Sequence, residues 1–271
     1  MTDQISIRIL GCGSSGGVPR LSDTPGGNWG ACDPANPKNR RTRCAILVTR
    51  HGADGITRVL VDTTPDMRQQ LLDAGVGSLD AVVYTHAHAD HMNGIDDLRM
   101  VVFNMRQRLQ VYADRDTTDA LMDRFGYAFV QPAGSSYPPI CELNLIDKPF
   151  EITGAGGPIR FSPIPVQHGA MVTYGFRIND FAYVPDVADI PDASWPLLQN
   201  LDLWIIDALR RDPHPTHAHL EKTLGWIADV KPAQAVLTNM HNDLDYATLA
   251  AETPDHIQPA YDGLTLTLPI T

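Results

Sequence analysis

Apolar residues recur along this chain at two spacings, and the elements can be read from them. Runs rich in Val, Ile, Leu, Phe and Tyr predict strands at residues 5–10, 43–49, 57–62, 79–85, 109–113, 159–166, 173–178, 181–185, 201–207, 233–238 and 264–268. Helical spacing predicts helices near 65–74, 94–106, 115–125, 194–199, 217–229 and 246–252. In the first of these, Met67, Leu71 and Leu72 share a face and Gly75 marks the stop. In 217–229, Leu220, Leu224 and Ile227 share a side, with Thr216 as the expected N-cap. Residues 126–158, rich in Gly and Pro, are expected to form an irregular surface excursion. Hairpin-like and strand–helix–strand connections are mixed, which predicts an α/β fold of two sheets with helices outside. No repeat or shift in composition marks a boundary, so one domain over 1–271 is expected.

Charge narrows the function classes. The 21 Lys and Arg against 32 Asp and Glu leave a formal charge of −11, which disfavours non-specific binding to nucleic acid or anionic lipid. No run of 18 apolar residues is present, so no membrane span is expected. Ile5–Leu10 reads as a strand without a basic start and apolar signal core, so no secretory signal is expected. Cys12, Cys32, Cys44 and Cys141 are scattered, which favours a cytoplasmic location over a disulfide scaffold.

Gly11-Cys12-Gly13-Ser14-Ser15-Gly16 matches the dinucleotide fingerprint and follows a strand. Val18-Pro19 and a Pro-rich stretch follow where a helix should begin, so phosphate would have no helix N-terminus to sit on. The segment therefore reads as a tight loop. Downstream, the basic cluster 37–43 is either a solvated loop or an anion clamp in which Arg40, Arg41 or Arg43 holds a second phosphate.

The strongest chemistry lies at residues 84–91, Tyr-Thr-His-Ala-His-Ala-Asp-His, just after the apolar run Val82-Val83. Imidazoles and carboxylates are costly to bury unless paired. Alternation on an extended segment aims His86 and His88 the same way, and Asp90 and His91 can face a second point nearby. Such donors suit zinc, manganese or iron. Three later strand ends carry further donors: His168, Asp186, and the segment Thr238-Asn239-Met240-His241.

With these residues in place, the chain resembles the metallo-β-lactamase-fold hydrolases over nearly its whole length. The resemblance rests on Asp62, the His86-x-His88-x-Asp90-His91 motif, His168, Asp186 and a late His. It implies a four-layer αββα sandwich of two mixed sheets flanked by helices. Within that superfamily the phosphodiesterase branch is the most similar, including ribonuclease Z and the phosphoribosyl cyclic phosphate phosphodiesterase. Asp90 before His91, Asp186 in place of a Cys, and Pro213-His214-Pro215-Thr216-His217 carry this likeness. It implies one ion on His86, His88, His168 and Asp186, and a second on Asp90, His91, Asp186 and the late His. Here Asn239 stands where that branch has its His. His241, two residues on, returns to the same face of an extended chain and is the expected ligand. Only Cys32 stands in the stretch where the phosphoribosyl enzyme has a Cys cluster, so no structural zinc is expected. Asp62 is expected to orient a ligand His through its far nitrogen, or else to be a strand-end turn residue.

The implied activity is that of a dinuclear metal phosphodiesterase acting on a small, cyclic or linear, sugar or nucleotide phosphodiester. Two divalent ions, zinc first and manganese or iron as alternatives, would activate a bridging water and clamp the phosphoryl oxygens. Asp90 would help orient the nucleophile, and His217 would protonate the leaving oxygen. The alternatives are a thioester or lactone hydrolase, a ribonuclease of the tRNA 3′-processing kind, and a non-catalytic metal-holding carrier. A homodimer is left open as a partner.

Overall fold

The computed structural model of the protein describes residues 3–270; residues 1, 2 and 271 of the expected 1–271 span lie outside the described residues. Fourteen strands are present among the described residues. They are β1 (Gln4–Gly11), β2 (Ala45–Gly52), β3 (Gly55–Val61), β4 (Ala81–Val83), β5 (Leu109–Ala113), β6 (Cys141–Leu145) and β7 (Phe150–Gly154). The rest are β8 (Gly157–His168), β9 (Met171–Ile178), β10 (Phe181–Val184), β11 (Leu203–Asp207), β12 (Gln234–Thr238), β13 (Ile257–Pro259) and β14 (Thr265–Pro269). The helices are α1 (Met67–Ala74), α2 (Ala89–Met92), α3 (Leu98–Met105), α4 (Arg115–Phe125), α5 (Leu220–Val230) and α6 (Tyr246–Glu252). The strands form two seven-stranded mixed sheets, ordered β14-β1-β2-β3-β4-β5-β6 and β13-β12-β11-β10-β9-β8-β7.

The chain divides into two compact units. The first takes the residues up to Leu10, Ala45–Arg160, and Thr265 onward. Its strands β3, β4, β5 and β6 run parallel, and β2 pairs antiparallel with β3. Leu60, Val82 and Val111 of these strands are buried with Leu71 of α1, Leu98 of α3 and Leu121 of α4. Each such side chain contributes roughly 1.5–3 kcal/mol on burial. Gly75 ends α1 in a left-handed conformation (φ 66°), as expected. The second unit takes Gly11–Cys44 and Phe161–Leu264. There β10, β11, β12 and β13 run parallel, and β8–β9–β10 is an antiparallel meander.

Three expectations are corrected. Residues 126–158 hold two edge strands, β6 and β7, in addition to loop. The Gly and Pro around them hid alternations only five residues long. The helix expected at 217–229 begins at Leu220, with His219 at the N-cap and no side-chain cap bond. Thr216 instead gives its carbonyl to a histidine described below. The segment 94–106 starts as a 3-10 turn, Ile95–Asp97, before α3. No helix is long and apolar enough to cross a membrane among the described residues.

Candidate functional site

In the first unit the donors sit where β3 and β4 end. Asp62 follows β3 with φ 68° and is fully buried. Its Oδ1 accepts from the backbone N–H of Thr85 (2.9 Å), and its Oδ2 accepts from Thr85 Oγ1 (2.8 Å). His91 Nδ1 is 2.7 Å from the same Oδ2. A carboxylate accepts, so His91 carries its proton on Nδ1 and keeps the lone pair on Nε2. Asp90 Oδ2 is 3.6 Å from that Nε2. Thr85 Oγ1, having donated to Asp62, accepts from His86 Nδ1 at 3.0 Å. His86 is thereby left with a bare Nε2, which faces His88 Nδ1 at 2.9 Å. One buried carboxylate thus sets the tautomer of two histidines, directly for His91 and through Thr85 for His86. Burial pushes the Asp62 carboxyl up from its ordinary value, while His91 and Thr85 pull it back.

The backbone holds this arrangement in place. Gly94 N–H donates to Thr63 O (2.9 Å), and Thr63 N–H donates to His91 O (2.8 Å). A Cβ at Gly94 would lie 2.0 Å from Thr64 O, so only glycine permits the short helix α2 to close on β3. Arg124 of α4 braces the motif by donating to Ala87 O at 2.8 Å.

In the second unit the donors sit where β8, β10, β11 and β12 end. His168 Nδ1 donates to Thr216 O at 2.6 Å. A carbonyl only accepts, so His168 presents a bare Nε2, which lies 3.9 Å from Asp186 Oδ2. The His168 and His217 ring centroids are 4.5 Å apart. His217 Nδ1 is 2.8 Å from Asp207 Oδ2, which also accepts from Val187 N–H at 3.1 Å. Burial pushes Asp207 up to about 7; His217 pulls it down and Asp186 adds to the rise. Asp207 was not foreseen. It closes the apolar run Leu203–Ile206 as Asp62 closes Leu60-Val61, and that recurrence was the available signal.

The segment after β12 corrects the alternation used to place His241, not the residue's candidacy as a ligand. Asn239 adopts φ 61°, so the chain is not extended there and the two-residue alternation does not carry through. The amide of Asn239 reaches Asp186, with Nδ2 3.1 Å from Oδ1 and 3.3 Å from Asp207 Oδ1. His241 lies in a basic neighbourhood. Burial first, then Arg20, Arg210, His217 and His214, pushes it down to about 3.

The three arginines offered as an anion clamp part company. Arg41 is buried and donates to His241 O (3.0 Å) and Leu244 O (2.6 Å), so its charge braces the 241–244 backbone. That corrects its assignment to substrate. Arg40 is exposed and lies over the Trp29 ring at 5.2 Å, and Arg43 Nε donates to Ser15 O at 3.2 Å. The thiol of Cys32 is buried and donates to Leu244 O at 3.6 Å.

Two mixed sheets flanked by helices, with histidines and carboxylates at the strand ends, define a metallo-β-lactamase fold. Residues 57–240 match the Beta-lactamase superfamily domain, and the chain belongs to that superfamily, in its phosphodiesterase branch. A crystal structure of a diphosphatase from the PhnP family is 35% identical, with a TM-score of 0.86 over 99% of this chain and 98% of that one. An octanoyltransferase of Porphyromonas gingivalis is 33% identical over 94% of this chain, which spans about half (50%) of that relative's length. Zinc-bound PqqB from Methylobacterium extorquens shares the fold, at 19% identity and a TM-score of 0.73 over 96% of this chain and 99% of that one.

Proposed function

We propose that the protein is a metal-dependent phosphodiesterase or diphosphatase acting on a small phosphorylated substrate. The observation that carries this reading is the His217–Asp207 pair, which lies beside His168 in the second unit. A phosphoester with an alkoxide leaving group needs a proton in the transition state, and a positioned imidazole supplies one. Asp207 accepts from Nδ1–H and so fixes His217 Nε2 as the nitrogen that hands the proton over. The 35% identity with a PhnP-family diphosphatase supports the same substrate class.

The donor chemistry fits divalent metal ions. His86 and His168 each keep a bare Nε2 because Nδ1 is committed, and Asp186 adds a buried carboxylate. The first unit offers His86, His88, Asp90 and His91 as ligands, and the second offers His168 and Asp186, with Asn239 steadying Asp186. Such ions acidify water and neutralise charge on phosphoryl oxygens. Zinc is the first expectation and manganese or iron the alternatives.

Thioester hydrolysis is a second reading, favoured by the match to the octanoyltransferase. A panel of phosphodiesters, dinucleoside diphosphates, acyl thioesters and lactones, assayed with added zinc or manganese, separates the two. Turnover confined to thioesters or lactones would sink the phosphodiesterase reading.

A further inference from the structure

The Gly-rich loop after β1 holds two polar groups that the proposed chemistry does not use. Ser14 Oγ is buried, with the residue 3% exposed, and has no hydrogen-bond partner among the described residues. An orphaned buried hydroxyl costs about 1–3 kcal/mol, so it persists where something satisfies it. Arg20 follows six residues later. Its backbone pairs both ways with Asn28 (2.9 and 2.8 Å), and its stem lies across Gly16, where a Cβ would sit 3.5 Å from Cγ and Nε. Among the described residues its guanidinium meets no carboxylate and no carbonyl. Arg210, the other arginine near His241, is already committed to Asp212 O (3.0 Å) and Pro213 O (2.7 Å).

The loop is pinned to the segment that follows β12. Met240 N–H donates to Cys12 O at 2.9 Å, and Gly13 bridges to both Met240 and Arg43. Gly13 must stay small, because a Cβ there would meet Arg41 Cβ and O at 3.0 Å. Val18 and Arg41 pair both ways at 2.9 Å, and Arg41 reaches on to His241 O. Asn242 Nδ2 donates to Asn28 O at 3.2 Å, opposite Arg20. Arg20, Arg210, His214 and His217 all act electrostatically on His241. This is a concentration of basic groups in a chain of net charge −11. An uncommitted guanidinium and an unsatisfied hydroxyl six residues apart in one loop are donors of the kind a tetrahedral oxyanion takes.

We propose that Ser14 and Arg20 form an anion subsite for a phosphate group of the substrate that is not the one being cut. The subsite deepens the phosphodiesterase reading by favouring substrates with a second phosphate. The glycines then serve to seat Arg20 and to approach residue 240, not to cradle a dinucleotide.

Two measurements test the proposal on the full chain. The first is calorimetric titration of metal-stripped protein with inorganic phosphate, comparing wild type with Arg20→Gln and Ser14→Ala. The second is the ratio of kcat/KM for a nucleoside 2′,3′-cyclic phosphate with and without a 5′-phosphate. Arg20→Gln should weaken phosphate binding, and lower that ratio, by about 10–100-fold. Arg20→Lys should fall between, and Ser14→Ala, too small a change to threaten the fold, should move both readouts the same way. Wild-type phosphate affinity and ratio in Arg20→Gln and Ser14→Ala overturn the subsite. Weaker phosphate binding with an unchanged ratio overturns its assignment to the substrate and leaves a free-anion site. Weaker phosphate binding in a protein that turns over only thioesters or lactones keeps the subsite and removes the phosphodiesterase reading.

Discussion

His217 Nδ1 lies 2.8 Å from Asp207 Oδ2, and the carboxylate behind the imidazole is completely buried. The pair leaves Nε2 as the working nitrogen, and the leaving group decides how much that matters. A sugar alkoxide needs a proton to depart, whereas a nitrophenolate leaves as an anion. His217→Ala should cut turnover of an alkyl or sugar phosphodiester by about 10²–10⁴-fold, and of bis-nitrophenyl phosphate by roughly tenfold or less. Metal content should stay near wild type. Rates falling in parallel for the two leaving groups would refute the general-acid role.

Asp62 offers a cleaner test of positioning than any ligand. Asparagine tolerates the left-handed backbone at this position (φ 68°), so Asp62→Asn keeps the turn and removes the charge. His91 then loses its ionic partner, and Thr85 loses the acceptor that orients His86. Metal affinity measured by chelator competition should weaken about 10–100-fold, as it does when such supporting groups are removed. Affinity equal to wild type would leave Asp62 as a turn residue only.

Much of this was legible from residue type and order. The strands ending near 62, 85, 166, 185, 207 and 238 were set by apolar runs, and the donors at 86–91 by an improbable concentration of imidazole. What was not legible depends on dihedral angle or on a distant partner. Asn239 reaches Asp186 and Asp207, and its φ of 61° breaks an alternation that holds only for extended chain. Arg41 looks like its neighbours Arg40 and Arg43 in sequence, and only the carbonyls at 241 and 244, some 200 residues away, take it inside. Thr216 resembles a helix cap, yet its carbonyl serves His168 and the helix begins four residues later.

Arg41 predicts a substitution that is conservative only in charge. Its fork serves two carbonyls at once, which the single ammonium of lysine cannot do from the same backbone position. Arg41→Lys should cost about 2–4 kcal/mol, since hydrogen bonds to charged groups contribute roughly 1.5–3 kcal/mol each and the remaining charge is poorly paired in the interior. Urea unfolding measures this. A loss below about 0.5 kcal/mol, the range of ordinary surface changes, would mean that the 241–244 backbone does not depend on the brace.

Asp262 makes stability fall with rising pH in a defined window. Burial pushes its carboxyl up to about 6, against the hydrogen bonds from Thr42 and Cys12 that pull it down. The unfolded chain releases this proton near the ordinary value of about 4, and the folded chain holds it until about 6. Between those values the folded state binds more protons, so stability declines as pH rises through the window and levels off above it. Asp262→Asn should lower stability overall, because an amide N–H2 replaces one acceptor, and should flatten the slope between about pH 4 and 6. An unchanged slope in chemical denaturation across that range would assign the decline elsewhere.

Asp62, Asp186 and Asp207 each stand just beyond, or as the last residue of, a buried strand whose backbone is already locked in a hydrogen-bonded sheet. The conformational entropy of placing each carboxylate is therefore lost when its own unit folds, before any cation arrives. Cation uptake is then a docking event, unlike that of a zinc finger, whose chain orders only around its ion. The heat-capacity change on loading should be small, because little apolar surface leaves water at that step. Chelation should empty the protein while leaving its cooperative melting transition in place.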